Sequence, residues 1–297
     1  TLQLISDQKP LARFFFKELK ESKTAHFWLA TLIEEGFYNL DRIPKPKEGK
    51  TSDSFILDDW PALTFIKDIV ERYKDNIDVI EDVISITDPI IVHQLDNKDD
   101  AYNYKVSYEL LEIVFKLPEA SFKTLYIDYY AYLQNSDWNT RYLDSNVSDV
   151  FLSKLVNFQS TNHLIEFIRA VSEYRVKNER YVDIIPTLDQ YWFNEIIKDG
   201  SRAIAKKAGV EVFRVIRKRI LQTKKIEGHF GYDFFINRIA NLPNDTSMHS
   251  YASIMVYFGR CIIDEVGETQ IFDLADSIHE DDPDILQRLL IHAFDKH

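Results

Sequence analysis

Residues 58–73 read DDWPALTFIKDIVERY, and this stretch indicates how the chain folds. Its apolar side chains recur at i, i+3, i+4 and i+7, the spacing of one helix face: Leu63, Ile66, Ile69, Val70 and Tyr73. An aspartate ahead of Pro61 can cap the free amides of a first turn, and proline is tolerated there because it lacks the N–H that would be unpaired. We predict a helix that begins near residue 60.

A second apolar segment follows directly, which makes the first of several helix pairs. It runs from Ile77 to Ile86, and we expect Asp88-Pro89 to end it. Earlier in the chain, residues 11–19 and 25–35 predict another pair, with Gly36 as a left-handed C-terminal cap. Residues 42–54 contain Pro44, Pro46 and Gly49 and predict a loop.

Helical spacing continues to the end of the chain, and strand-like alternation bounded by hairpin turns is absent. A helix is predicted from Tyr104 to Leu117. The last helix has Asp282 as its N-cap and Pro283 in its first turn, and its apolar face is predicted to contain Leu286, Leu289, Leu290 and Phe294. The remaining predicted helices span residues 121–135, 147–158, 161–176, 188–207, 209–224, 231–240, 248–265, 268–278 and 283–295.

Pairs of helices that recur every 35–50 residues or so are typical of helical-repeat solenoids. We therefore predict an all-α fold, an irregular HEAT-like α-solenoid that forms one domain over residues 1–297, with a sub-boundary left open near residues 180–187. A compact globular bundle is the competing architecture. Since the chain begins with Thr1, we expect it to be part of a longer protein.

Composition narrows the classes of function. The chain carries 36 Lys and Arg against 48 Asp and Glu, a net charge of −12, which as a whole-molecule field repels nucleic acid and anionic membranes. Cys261 is the single cysteine, so an intramolecular disulfide is excluded, and we expect it to be a small buried apolar residue. No signal peptide or apolar run near 18 residues is present, which predicts a cytoplasmic protein without a membrane partner.

Catalytic and metal motifs are weak throughout. Gly49-Lys50-Thr51 lacks the preceding glycine of a phosphate-binding loop. Residues 279–282 and 96–100 are rich in metal-ligand types, but the second range lacks the central glycine and closing glutamate of a calcium loop. Cys261 and His249 fall on the same predicted helical hairpin and are the candidate nucleophile-and-base pair, with a buried cysteine as the preferred alternative. We therefore predict a protein that is not an enzyme and needs no cofactor or metal.

One cationic segment stands out from this acidic background. Between residues 202 and 225 the chain has one acid, Glu211, and nine bases: Arg202, Lys206, Lys207, Arg214, Arg217, Lys218, Arg219, Lys224 and Lys225. Nine positive charges and one negative give +8, which leaves −20 for the rest of the chain. These nine residues are the candidate binding site for an acidic partner or a phosphate backbone. Alternatively, they form a solvated face that pairs with acidic neighbours.

A tyrosine-rich segment is the second candidate surface. Helical repeats often place aromatic side chains on a concave face, where they anchor peptides. The same residues could instead fill the core between repeats. They are Tyr126, Tyr129, Tyr130, Tyr132 and Trp138.

Several packing motifs resemble a segment of large bacterial multidomain proteins. They are the runs at residues 14–19, 26–29, 36–38, 59–63, 205–211 and 288–292, together with Pro44 and Pro46. The resemblance spans most of the chain and implies a HEAT-like helical region beside a separate NTPase or effector domain, in proteins some of which act in defence against phage. It implies that any nucleotide site lies outside these residues, because the shared motifs contain no catalytic side chain.

The leading hypothesis is a non-catalytic helical-repeat scaffold or sensor that binds a protein partner or other domains of its own full-length chain. Two alternatives stay open: a nucleic-acid-binding module that uses residues 202–225, and a hydrolase whose site is assembled from distant repeats.

Overall fold

A computed structural model of the chain describes residues 2–50, 55–97, 103–135, 150–176, 184–227 and 251–297. These residues are mostly helical, which confirms the all-α prediction. They form two compact units, Thr1–Tyr132 and Leu133–His297. The single domain predicted over residues 1–297 stays a prediction, and part of the boundary left open near residues 180–187 falls outside the described residues.

The first unit consists of helices of unequal length. They are α1 (Leu2–Asp7), α2 (Lys9–Glu21), α3 (Leu29–Glu34), α4 (Pro61–Arg72), α5 (Ile77–Asp96), α6 (Tyr104–Val114) and α7 (Thr124–Asn135), the last of which continues past the boundary of the unit. Short 3-10 helices lie at Ala25–Trp28, Leu40–Arg42 and Glu119–Ser121. Most of these helices bury apolar side chains, which pack against neighbouring helices of the unit.

Helices of the first unit pack on the second helix along the chain as well as on their direct neighbour. α4 lies between α2 and α6, and α3 packs on α5. Polar contacts cross the α4–α6 boundary at a constant separation of 45 residues: Thr64 Oγ1 donates to Glu109 Oε1 at 2.7 Å, Lys67 Nζ to Glu112 Oε2 at 2.7 Å and Lys116 Nζ to Glu71 Oε2 at 2.6 Å. Equivalent faces of α4 and α6 therefore lie side by side.

Helix ends follow the sequence in one place and depart from it in others. Gly36 has a φ of +72°, and Phe37 N–H bonds Leu32 O at 3.0 Å, as the predicted left-handed cap requires. Asp58 and Asp59 do not cap α4, because they form ion pairs with Lys9 and other bases instead.

α5 does not end at Asp88-Pro89 but continues to Asp96 with Pro89 inside it. Proline removes one helical hydrogen bond. However, the apolar stripe of α5 stays buried on both sides of it, at Val83 and Ile86 before and Ile90 and Ile91 after. Burial of these side chains offsets the lost bond.

The second unit is arranged around one long helix. Its helices are α8 (Leu152–Asn157), α9 (Asn162–Val171), α10 (Gln190–Glu227), α11 (Tyr251–Glu265), α12 (Glu268–Ala275) and α13 (Asp284–Lys296). α10 packs most extensively on α11 and also on α8, α9 and α12. Its backbone leaves helical geometry at Ala208 (φ −152°, ψ 39°), between the two helices that the sequence predicts at 188–207 and 209–224.

Two short antiparallel strand pairs were not expected from the sequence. β1 (Lys47–Glu48) pairs with β2 (Phe55–Ile56), and β3 (Tyr174–Val176) pairs with β4 (Ile184–Pro186). Strands of two or three residues are too short for an alternating pattern to be recognised. The helix predicted at 231–240 and the first three residues of the one predicted at 147–158 lie outside the described residues.

Candidate interaction surface

The nine predicted basic site residues all lie on α10, which carries them on more than one of its faces. Val212, Phe213, Ile216 and Ile220 are buried, so one side of this helix faces the core as predicted. The bases therefore divide into a group held inside the unit and a group that faces solvent.

Arg217 and Arg219 belong to the inner group. Arg217 makes a bidentate pair with Asp282, Nε to Oδ2 at 2.6 Å and Nη2 to Oδ1 at 2.7 Å. Arg219 is buried, donates to Glu173 Oε2 at 2.6 Å and to Arg169 O at 2.8 Å, and lies over the ring of Tyr174. Both guanidinium groups therefore connect α10 to other parts of the second unit.

Lys207 and Arg202 also have partners within the chain. Lys207 Nζ donates to the carbonyls of Phe158 and Gln159 beyond the end of α8. Arg202, although exposed, lies 3.4 Å from Glu265 Oε2 at the end of α11. These four of the nine bases therefore agree with the alternative prediction, in which the basic residues pair with neighbouring parts of the chain.

The other five bases have no acidic partner among the described residues. Lys206, Arg214, Lys218 and Lys225 are exposed, and Lys224 is half-buried. At 100° per residue, Arg214, Lys218 and Lys225 fall within about 40° of one another and extend over about 16 Å of helix. We call these three residues the cationic stripe.

Glu211 is a carboxylate on the same face of α10 as the cationic stripe. It is exposed, lies one turn before Arg214 and forms no ion pair with the three bases. Residues 212–226 contain no Asp or Glu. The single aromatic in this range, Phe213, is fully buried, so the stripe offers no ring on which an unpaired base could stack. Its chemistry is that of a row of point charges suited to carboxylates or phosphates.

The tyrosine-rich segment is interior and not an exposed aromatic face. Tyr126, Tyr129 and Tyr130 are buried, and Tyr132 is half-buried. Tyr126 donates to Asp88 Oδ1 at 2.9 Å, and Tyr129 donates to the buried Gln94 of α5. Burial, together with the nearby carboxylate of Asp88, raises the pKa of Tyr126. Trp138 lies outside the described residues.

The weaker chemical motifs are not brought together among the described residues. Within the described ranges, no three His, Cys, Asp or Glu side chains are grouped as metal ligands. Asp282, from the ligand-rich run at 279–282, binds Arg217. Burial raises the pKa of the Cys261 thiol, which disfavours the thiolate needed for nucleophilic attack. His249, its suggested base, is outside the described part of the chain.

A second surface is present that the sequence does not predict. Phe294 was assigned to the buried face of the last helix, but it is exposed, as are Ile291 beside it and Phe272 on α12. The inner face of α13 uses Leu286, Leu289 and Ala293 instead. In the sequence, the small residue Ala293 is the feature that would have indicated a buried face containing position 293 and not position 294.

Comparisons with known proteins give no match: no family model fits the sequence, and no curated protein or solved structure is similar to it. In the parts of the chain that the structure describes, none of the helices is both long and apolar enough to span a bilayer.

Proposed function

We propose that this chain is a non-catalytic helical-repeat scaffold, which binds an acidic surface of a partner protein, or of another domain of its own full-length chain, through the cationic stripe on α10. The observation that carries this proposal is the division of the nine bases: four are held by partners inside the unit, whereas Arg214 and Lys218 are exposed on one face with no acidic partner. Exposed charges that no internal contact requires are available to a partner.

The scaffold part of the proposal is supported by the separation of bonded residues. Side-chain contacts join α4 and α6 at 45 residues, α2 and Asp59 at 46, and α9 and α10 at 46–50. A recurring separation of this size is what stacked helix pairs of the HEAT kind produce. We extend it to an irregular solenoid in a bacterial, cytoplasmic protein, in line with the family that the packing motifs resemble.

An acidic protein surface is preferred over a nucleic acid because of charge. The chain has a net charge of −12, which repels a long polyanion wherever the polyanion leaves the stripe. An acidic patch on a folded partner would contact only the stripe and not the acidic remainder of the chain. Docking of this kind adds mainly to the association rate and to specificity.

Nucleic-acid binding is the second candidate, and the absence of acids from residues 212–226 favours it. Lys206 and Lys224 add two further positive charges on α10, at another angle around the helix from the stripe. The buried position of Phe213 favours duplex over single-stranded nucleic acid, because single strands are usually held by stacking on exposed rings. The hydrolase alternative stays a prediction, and the described residues contain no group of His, Cys, Asp or Glu side chains that supports it.

Titration with two fluorescent polyanions tests this proposal. The probes are a poly-glutamate peptide and a 20-base-pair DNA duplex, each followed by anisotropy from 50 to 300 mM salt. We expect the peptide to bind with an affinity that falls with salt and to be displaced by unlabelled poly-glutamate. The nucleic-acid candidate would be favoured if the duplex binds more tightly than the peptide and the slope of log K against log salt is about −3. Absence of binding to both probes at 50 mM salt would contradict the proposal.

A further inference from the structure

An exposed apolar face covers the outer side of α12 and α13. Phe272 is 70% exposed, Ile291 is 63% exposed and Phe294 is 53% exposed. The rings of Phe272 and Phe294 lie edge to face, with centroids 6.5 Å apart, so residues of the two helices form one patch. Isolated apolar side chains are ordinary on a surface, whereas a group on adjacent helices marks an interaction site.

This face does not arise from a shortage of core residues. α12 and α13 already bury a complete inner stripe, which includes Ile271, Leu274, Leu286 and Leu289. Phe272, Ile291 and Phe294 are therefore additional to the side chains that hold the two helices in the unit. Their burial in an interface would favour association, because it removes apolar surface from water.

The charges around the face are mostly negative. One helical turn on either side of Phe272 lie Glu268 and Asp276, and one turn after Ile291 lies Asp295. All three carboxylates are exposed, and Arg288 is the one base at an equivalent position in these two helices. A ligand of this face would thus meet an apolar centre with an acidic edge.

We propose that the face of Phe272, Ile291 and Phe294 binds an amphipathic helix of a partner protein, one that carries Lys or Arg beside its apolar stripe. Two neighbouring helices provide a groove for a third, and the acidic edge selects its charge. A second copy of this chain fits less well, because a symmetric pairing would bring the same carboxylates together. This surface goes beyond the proposed function, since its chemistry is opposite to that of the cationic stripe.

The test uses the whole chain and two labelled helical peptides of about 18 residues. Both have Leu at i, i+4, i+7 and i+11, and they differ only in having Lys or Glu beside that stripe. We expect the Lys peptide to bind at least tenfold more tightly than the Glu peptide. F272D/F294D should weaken it at least tenfold, and E268Q/D276N should reduce the preference for Lys. F14D, at an equally exposed phenylalanine of α2, is the matched control.

Each other outcome contradicts the proposal. Equal binding of the two peptides would remove the charge argument, and unchanged binding by both F272D/F294D and F272S/F294S would remove the site. Sedimentation that shows self-association abolished by F272D would assign the face to a second copy instead. R214E/K218E/K225E should not weaken Lys-peptide binding, since it only makes the chain more negative, so that failure here and failure of the cationic stripe are distinguishable.

Discussion

Arg217 and Asp282 form a bidentate ion pair that joins α10 to the turn before α13, with side chains 19% and 6% exposed. Burial favours the protonated form of Asp282, but the hydrogen bonds from Arg217 and from the His279 N–H outweigh it, so the pKa of this carboxyl is lowered. A residue of the candidate binding site is thus a structural residue of the second unit.

We therefore predict that Arg217→Met lowers the free energy of unfolding by about 2 kcal/mol, because it leaves a buried carboxylate without its charged partner. Arg214→Met, three residues earlier and exposed, should change it by less than about 0.5 kcal/mol. Urea denaturation of the three proteins at pH 7 measures both effects. Equal losses in the two variants would mean that the pair contributes nothing specific.

Lys154 on α8 predicts a pH dependence of stability. Burial lowers the pKa of its amine from 10.5 to about 8 in the folded chain. The folded state therefore disfavours the proton, and the resulting penalty is fully present below pH 8. It is relieved as the pH rises from about 8 to 10.5, the window in which the unfolded state binds more protons.

Replacing Lys154 with Met should accordingly raise the free energy of unfolding at pH 7 by about 1–2 kcal/mol, allowing for solvent screening of a partly exposed group. The advantage of the variant should shrink between pH 8 and 10.5. Chemical denaturation at pH 7, 9 and 10.5 gives the difference at each pH. A difference that does not change with pH would argue that it comes from packing and not from the amine.

Gly209 permits a close approach between α10 and the end of α11. A Cβ at this position would lie 2.5 Å from Cγ1 of the buried Val266. Although alanine is the better helix former by about 1 kcal/mol, we predict that Gly209→Ala destabilises the chain by about 1 kcal/mol or more.

A double-mutant cycle with Val266→Ala measures the cause of that loss. The second substitution removes the atom that the new Cβ meets, so the double variant should be more stable than the sum of the single effects predicts. Gly267→Ala, with no atom within 4 Å of its Cβ, is the control and should have little effect. Additive effects would show that the contact with Val266 is not responsible.

The sequence predicts which segments are helical better than it predicts which side of each helix is buried. Apolar spacing locates α4, α5 and α6, and Gly36 is recognisable because a left-handed cap requires it. Pro89 led to a wrong prediction of where α5 ends. The rule that proline ends a helix uses only local sequence, whereas α5 continues because Ile90 and Ile91 are buried in the packed unit.

The candidate surfaces depend still more on packing. Tyr126 and Phe294 are both aromatic residues near helix ends, but one is buried against Asp88 and the other is exposed. Likewise, Arg217 and Lys218 are adjacent in sequence, and only the position of Asp282, 65 residues away, removes Arg217 from the surface. Contacts over such separations leave no trace in local spacing, so the division of the nine bases required the structure.

The central claim is that the cationic stripe, and not basic charge in general, binds an acidic partner. It is tested most directly by comparing R214E/K218E/K225E with K17E/K23E/K74E in the poly-glutamate titration at 50 mM salt. Both triple variants change the net charge by −6, and the control lysines are exposed residues of the first unit. We predict that the stripe variant loses at least tenfold in affinity, whereas the control loses less than about threefold. Equal losses in the two variants, or binding by the stripe variant that matches the unmodified chain, would contradict the claim.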